Sequence, residues 1–327
     1  MMRGYFAIVV GLLCVFVLGL AFPRWNAPRI EYGVTFSQPY AQGIGLDWKQ
    51  VYDDVLSDLG VRHLRLVAYW SDIEMRQGEY DFSSLDYQVE EARKYDADIV
   101  LALGRKVPRW PECFIPELYE SLSPEDQDQA LFDFIGATAS RYEDSVVMWQ
   151  LENEPFLDFG ICPPSDGALL RKEEQFLRSI TSLPIMVTDS GELSTWLTTS
   201  SYGDVLGTTM YRTVFSKRTQ RPFSYDYIFP AWLYRLKSRV VGLVRGKTVL
   251  ISELQGEPWG NKWLLDMTDE ERAQSFSPER FVDIANFAQR TQLPRAYWWG
   301  VEYWYWEKEV NGDNSYWETG KQLFREY

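Results

Sequence analysis

Two short runs place carboxylates where an apolar stretch of chain gives out. "WQLENEP", residues 149–155, carries Glu152, Asn153 and Glu154, and "LISELQGEPW", residues 250–259, carries Glu253 and Glu257. A carboxyl group serves as general acid, general base or nucleophile, and two in one pocket divide these tasks when their surroundings hold them in different protonation states. The rest of the chain offers few substitutes. Its one histidine, His63, would have to carry any imidazole-dependent nucleophile system, and a zinc site of several imidazoles is excluded. His63 lies within "VRHLRLVAYW", residues 61–70, and reads as a packed strand residue.

Composition narrows the ligand. A net charge of −14 argues against nucleic acid, whose phosphates call for clustered Lys and Arg. The 14 Trp and 20 Tyr exceed what a core needs and offer flat apolar faces to a neutral ligand. No cofactor and no metal site is expected. The run from Tyr5 to Phe22 carries no charge and approaches the roughly 20 residues of a spanning helix, while Gly19 and Ala21 supply small residues for a cleavage site. Residues 1–24 are therefore expected to be a signal anchor or a signal peptide. Either one exports the remainder, tethered to a membrane if the segment stays uncleaved. Cys14 follows Leu13 rather than a small residue, which argues against a lipid-modified cysteine.

Beyond Pro23 no linker or low-complexity tract interrupts the chain, and residues 28–327 read as one domain. Apolar, β-branched runs recur at 30–36, 61–70, 97–104, 145–153, 183–189, 204–211, 247–254 and 295–301. Helical periodicity fills most of the intervals, at 47–60, 85–96, 129–144, 169–180, 231–244 and 278–291. The interval between the fifth and sixth runs leaves room for only a short helix. Eight buried strands alternating with amphipathic helices specify an α/β fold, the (β/α)8 TIM barrel. Active sites of that fold lie at the C-terminal ends of the strands. Glu154 ends the fourth strand and Glu253 the seventh, so both should face one pocket. A single glutamate so placed could equally cap a helix or pair with an arginine.

These residues resemble clan A of the retaining glycoside hydrolases, the group of cellulases, β-galactosidases and β-xylosidases. The resemblance rests on Asn153-Glu154-Pro155, on Glu253, and on "YWSDIEMRQGEYDFSSLD", residues 69–86, and it spans the exported domain. It implies a retaining β-glycoside hydrolase acting on a β-linked oligo- or polysaccharide, with Glu154 as acid/base and Glu253 as nucleophile. It further implies that Asn153 binds the sugar 2-hydroxyl and that Arg65 orients the nucleophile. Tyr211, ending the sixth strand, could hydrogen-bond Glu253. Two departures, Met75 after the Ile-Glu pair and the lack of a histidine at strand six, leave the branch and the sugar open. A binding barrel without turnover and a transglycosylase are the alternative functions.

Aromatic residues past the strand ends are the candidate sugar platforms: Trp70, Trp110, Trp259, and Trp299 within "YWWGVEYWYW", residues 297–306. Strand alternation sends Trp298 and Trp299 to opposite faces, and Trp299 is the one expected in the pocket. Glu152, Glu192, Glu257 and Glu302 are further carboxylates near strand ends, Glu257 being the rival nucleophile. Cys113 follows the third strand and Cys162 the fourth. The barrel makes these loops neighbours, so an exported domain is expected to join Cys113 and Cys162 in a disulfide.

Overall fold

A computed structural model describes residues 19–24, 26–27, 29–162, 165 and 167–325. Most of the hydrophobic N-terminal segment expected to be an anchor or signal peptide lies outside these residues. Among the described residues no helix is long and apolar enough to cross a membrane.

The eight expected strands are β1 (Glu31–Thr35), β2 (His63–Val67), β3 (Asp98–Leu103), β4 (Met148–Leu151), β5 (Ile185–Asp189), β6 (Val205–Met210), β9 (Thr248–Gln255) and β10 (Arg295–Trp299). They close into an all-parallel barrel in the order β1-β10-β9-β6-β5-β4-β3-β2. β7 (Thr213–Ser216) and β8 (Arg221–Ser224) form a separate antiparallel hairpin after β6. The short interval between β5 and β6 holds a single 3-10 turn, Thr199–Ser201.

Alternation along each strand builds two cores. Side chains facing the lumen form a small plug of Val100, Met186, Leu250 and Tyr297, joined by Met148 and Val205. Their neighbours in sequence, such as Ile99, Leu101, Trp149 and Val187, pack outward against the helices. Closure is tight at β1. A Cβ on Gly33 would meet the His63 carbonyl at 2.4 Å and the Tyr297 ring at 2.9 Å, so only glycine fits there. The helices carry ordinary start signals. Asp47 caps Trp48–Ser57, and Ser123 and Ser277 cap helices that each begin with proline.

His63 sits at the N-terminal end of β2, with Nδ1 3.2 Å from Asp98 and Nε2 3.9 Å from Glu31. That is the opposite end of the barrel from the C-terminal strand ends, as expected of a structural residue.

Cys113 and Cys162 are bonded, with Cα atoms 4.8 Å apart across 49 positions of sequence. The bridge pins the loop after β3 to the loop after β4. On chain-entropy grounds a crosslink of this span contributes roughly 4 kcal/mol. The double substitution Cys113→Ser with Cys162→Ser should therefore lower unfolding stability by up to about that amount. Denaturant titration extrapolated to water checks it, with a larger m-value expected from the less compact unfolded chain, and an unchanged unfolding free energy would refute it.

Candidate active site

Toward the C-terminal ends of the strands the inward positions turn polar, and Arg65 on β2 organises them. It is fully enclosed by protein. Its Nε donates to Gln150 Oε1 at 2.8 Å and its Nη2 to Asn153 Oδ1 at 2.9 Å, both on or just past β4. Its Nη1 reaches Glu253 Oε1 at 3.1 Å, the Ser252 carbonyl at 3.2 Å and Thr35 Oγ1 at 3.4 Å. Tyr211, directly after β6, donates from its hydroxyl to the other Glu253 oxygen at 2.9 Å. Both oxygens of Glu253 are thus held by hydrogen-bond donors.

A bulge aims this carboxylate. Leu250 points into the lumen, and simple alternation would send Ser252 inward and Glu253 out. Pairing with β6 steps from Thr208↔Ile251 to Thr209↔Glu253, and pairing with β10 steps from Ala296↔Ile251 to Trp298↔Leu254. β9 therefore carries one extra residue relative to both neighbours, as a β-bulge does. Glu253 faces inward as a result, and Leu254 joins the outer core.

Glu154 is held differently. Glu152 and Glu154 both have positive φ, 54° and 43°, a strained setting for residues with side chains that tertiary contacts must enforce. The Glu152 carboxylate accepts the Arg105 and Lys106 backbone N–H groups at 3.0 and 2.8 Å. Lys106 Nζ donates to the carbonyls of Glu154 and Leu157 at 3.0 and 2.8 Å, and the Glu154 N–H donates to Thr188 Oγ1 at 2.8 Å. The Glu154 carboxyl itself receives one hydrogen bond, from Thr209 Oγ1 at 3.1 Å. Burial, then the negative charges of Glu253 and Glu112, drive its pKa well above the carboxylate range, against the pull of Thr209. Thr209 and Tyr211, two residues apart by β6, thus touch one glutamate each, which places both carboxyls over the same lumen.

The expected aromatic platforms divide. Trp298 packs outward against Phe281 and Trp304, while Trp299 lies inward with its Nε1 donating to Glu257 at 2.7 Å. One face of Trp299 is already covered by the Arg109 guanidinium, 4.0 Å from the ring centre, and Tyr40 covers the cation's other side at 3.7 Å. Trp259 meets Tyr211 edge-on at 4.6 Å and continues through Phe159 to the exposed Trp110, with ring centres about 6 Å apart. Trp70 is a correction. It is 1% exposed, stacks on Phe134 and Tyr119 in the helix layer, and donates to Glu74 at 2.6 Å. A short helix, Trp70–Ile73, turns it away from the pocket mouth.

The other carboxylates each have partners, although Glu257 keeps one oxygen, Oε2, buried and unpaired. Glu257 and Glu302 both receive Arg109, at 2.5 and 2.9 Å. Glu192 accepts from Tyr234 at 2.5 Å and from the Tyr211 N–H at 3.2 Å. Sequence reasoning did not single out Gln150, Thr188, Thr209, Lys106, Arg109 or Glu112. None belongs to a marked motif, and their roles follow only from strand parity and loop path.

No protein-family model and no curated protein matches this chain. Solved structures do share its fold. A GH5_18 protein from Bifidobacterium longum aligns with TM-score 0.64 at 12% identity, over 92% of this chain and 80% of the other. A GH5_18 protein from Streptomyces cattleya, solved with GlcNAc, gives 0.61 at 13% over 84% and 71%. Xylanase 10B from Thermotoga petrophila, solved with xylobiose, gives 0.57 at 15% over 91% and 94%. At these identities the likeness establishes the barrel fold.

Buried acids make stability fall with rising pH. Burial raises Glu302 to about 6, Glu192 to about 7 and Glu112 to about 8, each as the leading cause. The native state therefore holds protons that the unfolded chain, with carboxyls near 4.3, has released. Their stabilisation is complete below that unfolded value and is lost as pH rises through the native values. Calorimetry from roughly pH 5 to 8 should show a falling Tm, with a shallower fall in Glu192→Gln. A Tm that rises across this interval would contradict the assignment.

Proposed function

We propose that the chain is a retaining β-glycoside hydrolase acting on a neutral β-linked oligo- or polysaccharide. The observation that carries this reading is the contrast between two buried glutamates over one lumen. Glu253 is bound at both oxygens by the donors Arg65 and Tyr211, while burial and nearby negative charge raise the pKa of Glu154 well above the carboxylate range. That is the division of labour a double displacement needs.

In the first step the Glu154 proton passes to the glycosidic oxygen as its bond to the anomeric carbon breaks, and a Glu253 oxygen forms the ester to that carbon. In the second step Glu154, now ionised, takes a proton from water whose oxygen attacks the anomeric carbon and returns Glu253 to a free carboxylate. Asn153, oriented by Arg65 and by Thr188 at 3.2 Å, turns its amide nitrogen to the sugar. The Tyr211, Trp259, Phe159 and Trp110 rings form a lane leading outward from Glu253, and Trp299 has only the face opposite Arg109 free for stacking. The sugars bound by similarly folded proteins, xylobiose in the Thermotoga xylanase and Manβ1-4GlcNAc in a Bifidobacterium GH5_18 variant, support a carbohydrate substrate.

We also infer export, with the domain outside the cytoplasm and secreted or tethered through its N-terminal segment. The Cys113–Cys162 bridge supports this, since disulfides persist in oxidising compartments.

Glu253→Gln should abolish formation of a glycosyl-enzyme. Glu154→Gln should lower turnover of substrates with poor leaving groups by roughly 100-fold or more, and of activated aryl glycosides far less, because a good leaving group needs no proton. A slow fluorinated glycoside should label Glu253, read by mass spectrometry of the peptide. A label on Glu257 would overturn the assignment.

A further inference from the structure

A third acid faces the catalytic pair, and the double displacement has no task for it. Glu112 lies in the loop after β3, is 6% exposed, and its Oε2 is buried without a hydrogen-bond partner. The nearest cation, Lys106 Nζ, is 3.9 Å away and already donates to two carbonyls. The Asn153 side-chain nitrogen is buried and unpartnered too, although its oxygen is bound by Arg65 and Thr188. A buried polar atom left unpaired is costly. These two lie beside the nucleophile and near enough to attract one another, and together they offer an acceptor and a donor to one added group.

The loop is built to hold Glu112 there. Its φ is 58° and that of Arg109 is 87°, and the Glu112 N–H closes a turn onto the Arg109 carbonyl at 2.7 Å. Gly160, on the loop that follows Glu154, packs so closely that a Cβ would meet Glu112 Cβ and the Pro111 carbonyl, each at 2.8 Å. The next residue, Cys113, is bonded to Cys162 on that same loop.

We propose that Glu112 is a sugar-binding residue whose free oxygen, together with the Asn153 amide nitrogen, receives one hydroxyl of the glycone. A hydroxyl donates once and accepts twice, so one such atom satisfies both a carboxyl oxygen and an amide N–H. An ammonium group accepts nothing and would leave Asn153 unpaired. Burial and the charge of Glu253 push the Glu112 carboxyl up to about 8, against Lys106, Arg65 and the Asn153 amide beside it. Below that value the group serves as donor or acceptor, and it takes the hydroxyl in either orientation.

This inference rests on the proposed glycosidase activity, and its test separates the two. The experiment measures kcat/KM on the aryl β-glycoside the wild type cleaves best and on each of its monodeoxy congeners, for wild type, Glu112→Ala and Glu112→Gln. Removing the recognised hydroxyl should cost the wild type roughly 10- to 100-fold, because a site built for that group is left unpaired without it. The same removal should cost Glu112→Ala several-fold less, since only the Asn153 amide then loses its partner, and Glu112→Gln, which keeps an acceptor and a donor, should fall between them. Thermal melts of both variants separate a folding defect from lost recognition. An unchanged deoxy penalty at every position in Glu112→Ala overturns this inference alone. Absence of any glycoside turnover by the wild type overturns the proposed function and this inference together.

Discussion

The contact between Arg65 and Glu253 is the constraint on which the rest of the site depends. A guanidinium with no exposure to solvent is tolerable only if its donors are paired, and breaking a buried pair typically costs about 3–5 kcal/mol. Here the partners come from three strand ends: Thr35 of β1, Gln150 and Asn153 at β4, and Ser252 and Glu253 of β9. The need to satisfy one cation thereby fixes the relative positions of the nucleophile candidate, the sugar-facing amide and the strands that bear them. The apolar plug of Val100, Met186, Leu250 and Tyr297 below it keeps water from competing for those donors.

Glu154 is governed by the opposite rule. Its carboxyl has a single hydrogen bond, and its precision comes from the backbone. Lys106 gathers the Glu154 and Leu157 carbonyls, Glu152 gathers two N–H groups from the loop after β3, and Thr188 holds the Glu154 N–H. The two positive φ angles either side of Asn153 are sustained by this mesh. Strain at and beside a catalytic candidate, with its compensation spread over neighbouring loops, is the usual pattern at functional sites. The disulfide belongs to the same scheme, since it joins the two loops that exchange these bonds.

Much of the barrel was legible because its strands are apolar throughout and its helices keep a 3.6-residue period, so all eight strands fall where the pattern places them. Glu154, Glu253 and Tyr211 were legible for a related reason, since each stands at the end of an apolar run, and Arg65 was legible through the resemblance to clan A. What escaped was set by tertiary context. The hairpin of β7 and β8 follows β6 too closely to read as a separate unit. Trp70 looked like a rim residue because it comes soon after β2, but a four-residue helix carries it into the outer layer. Glu112 lies in a loop with no periodicity, and its approach to the lumen depends on two left-handed residues and a crosslink that no local pattern announces.

The extra residue in β9 has a consequence for how such chains diverge. Orientation in a strand is a matter of counting, and Glu253, an odd step from Leu250, aims inward only because the bulge lies between them. Regular pairing of the same residues without the bulge would leave every side-chain type intact yet exchange the places of Glu253 and Leu254, putting a charge among the helices and a leucine over Arg65. A shorter strand, with the extra residue and the bulge both gone, would return Glu253 to the lumen by simple alternation. Residue count and pairing register are thus free to change only together.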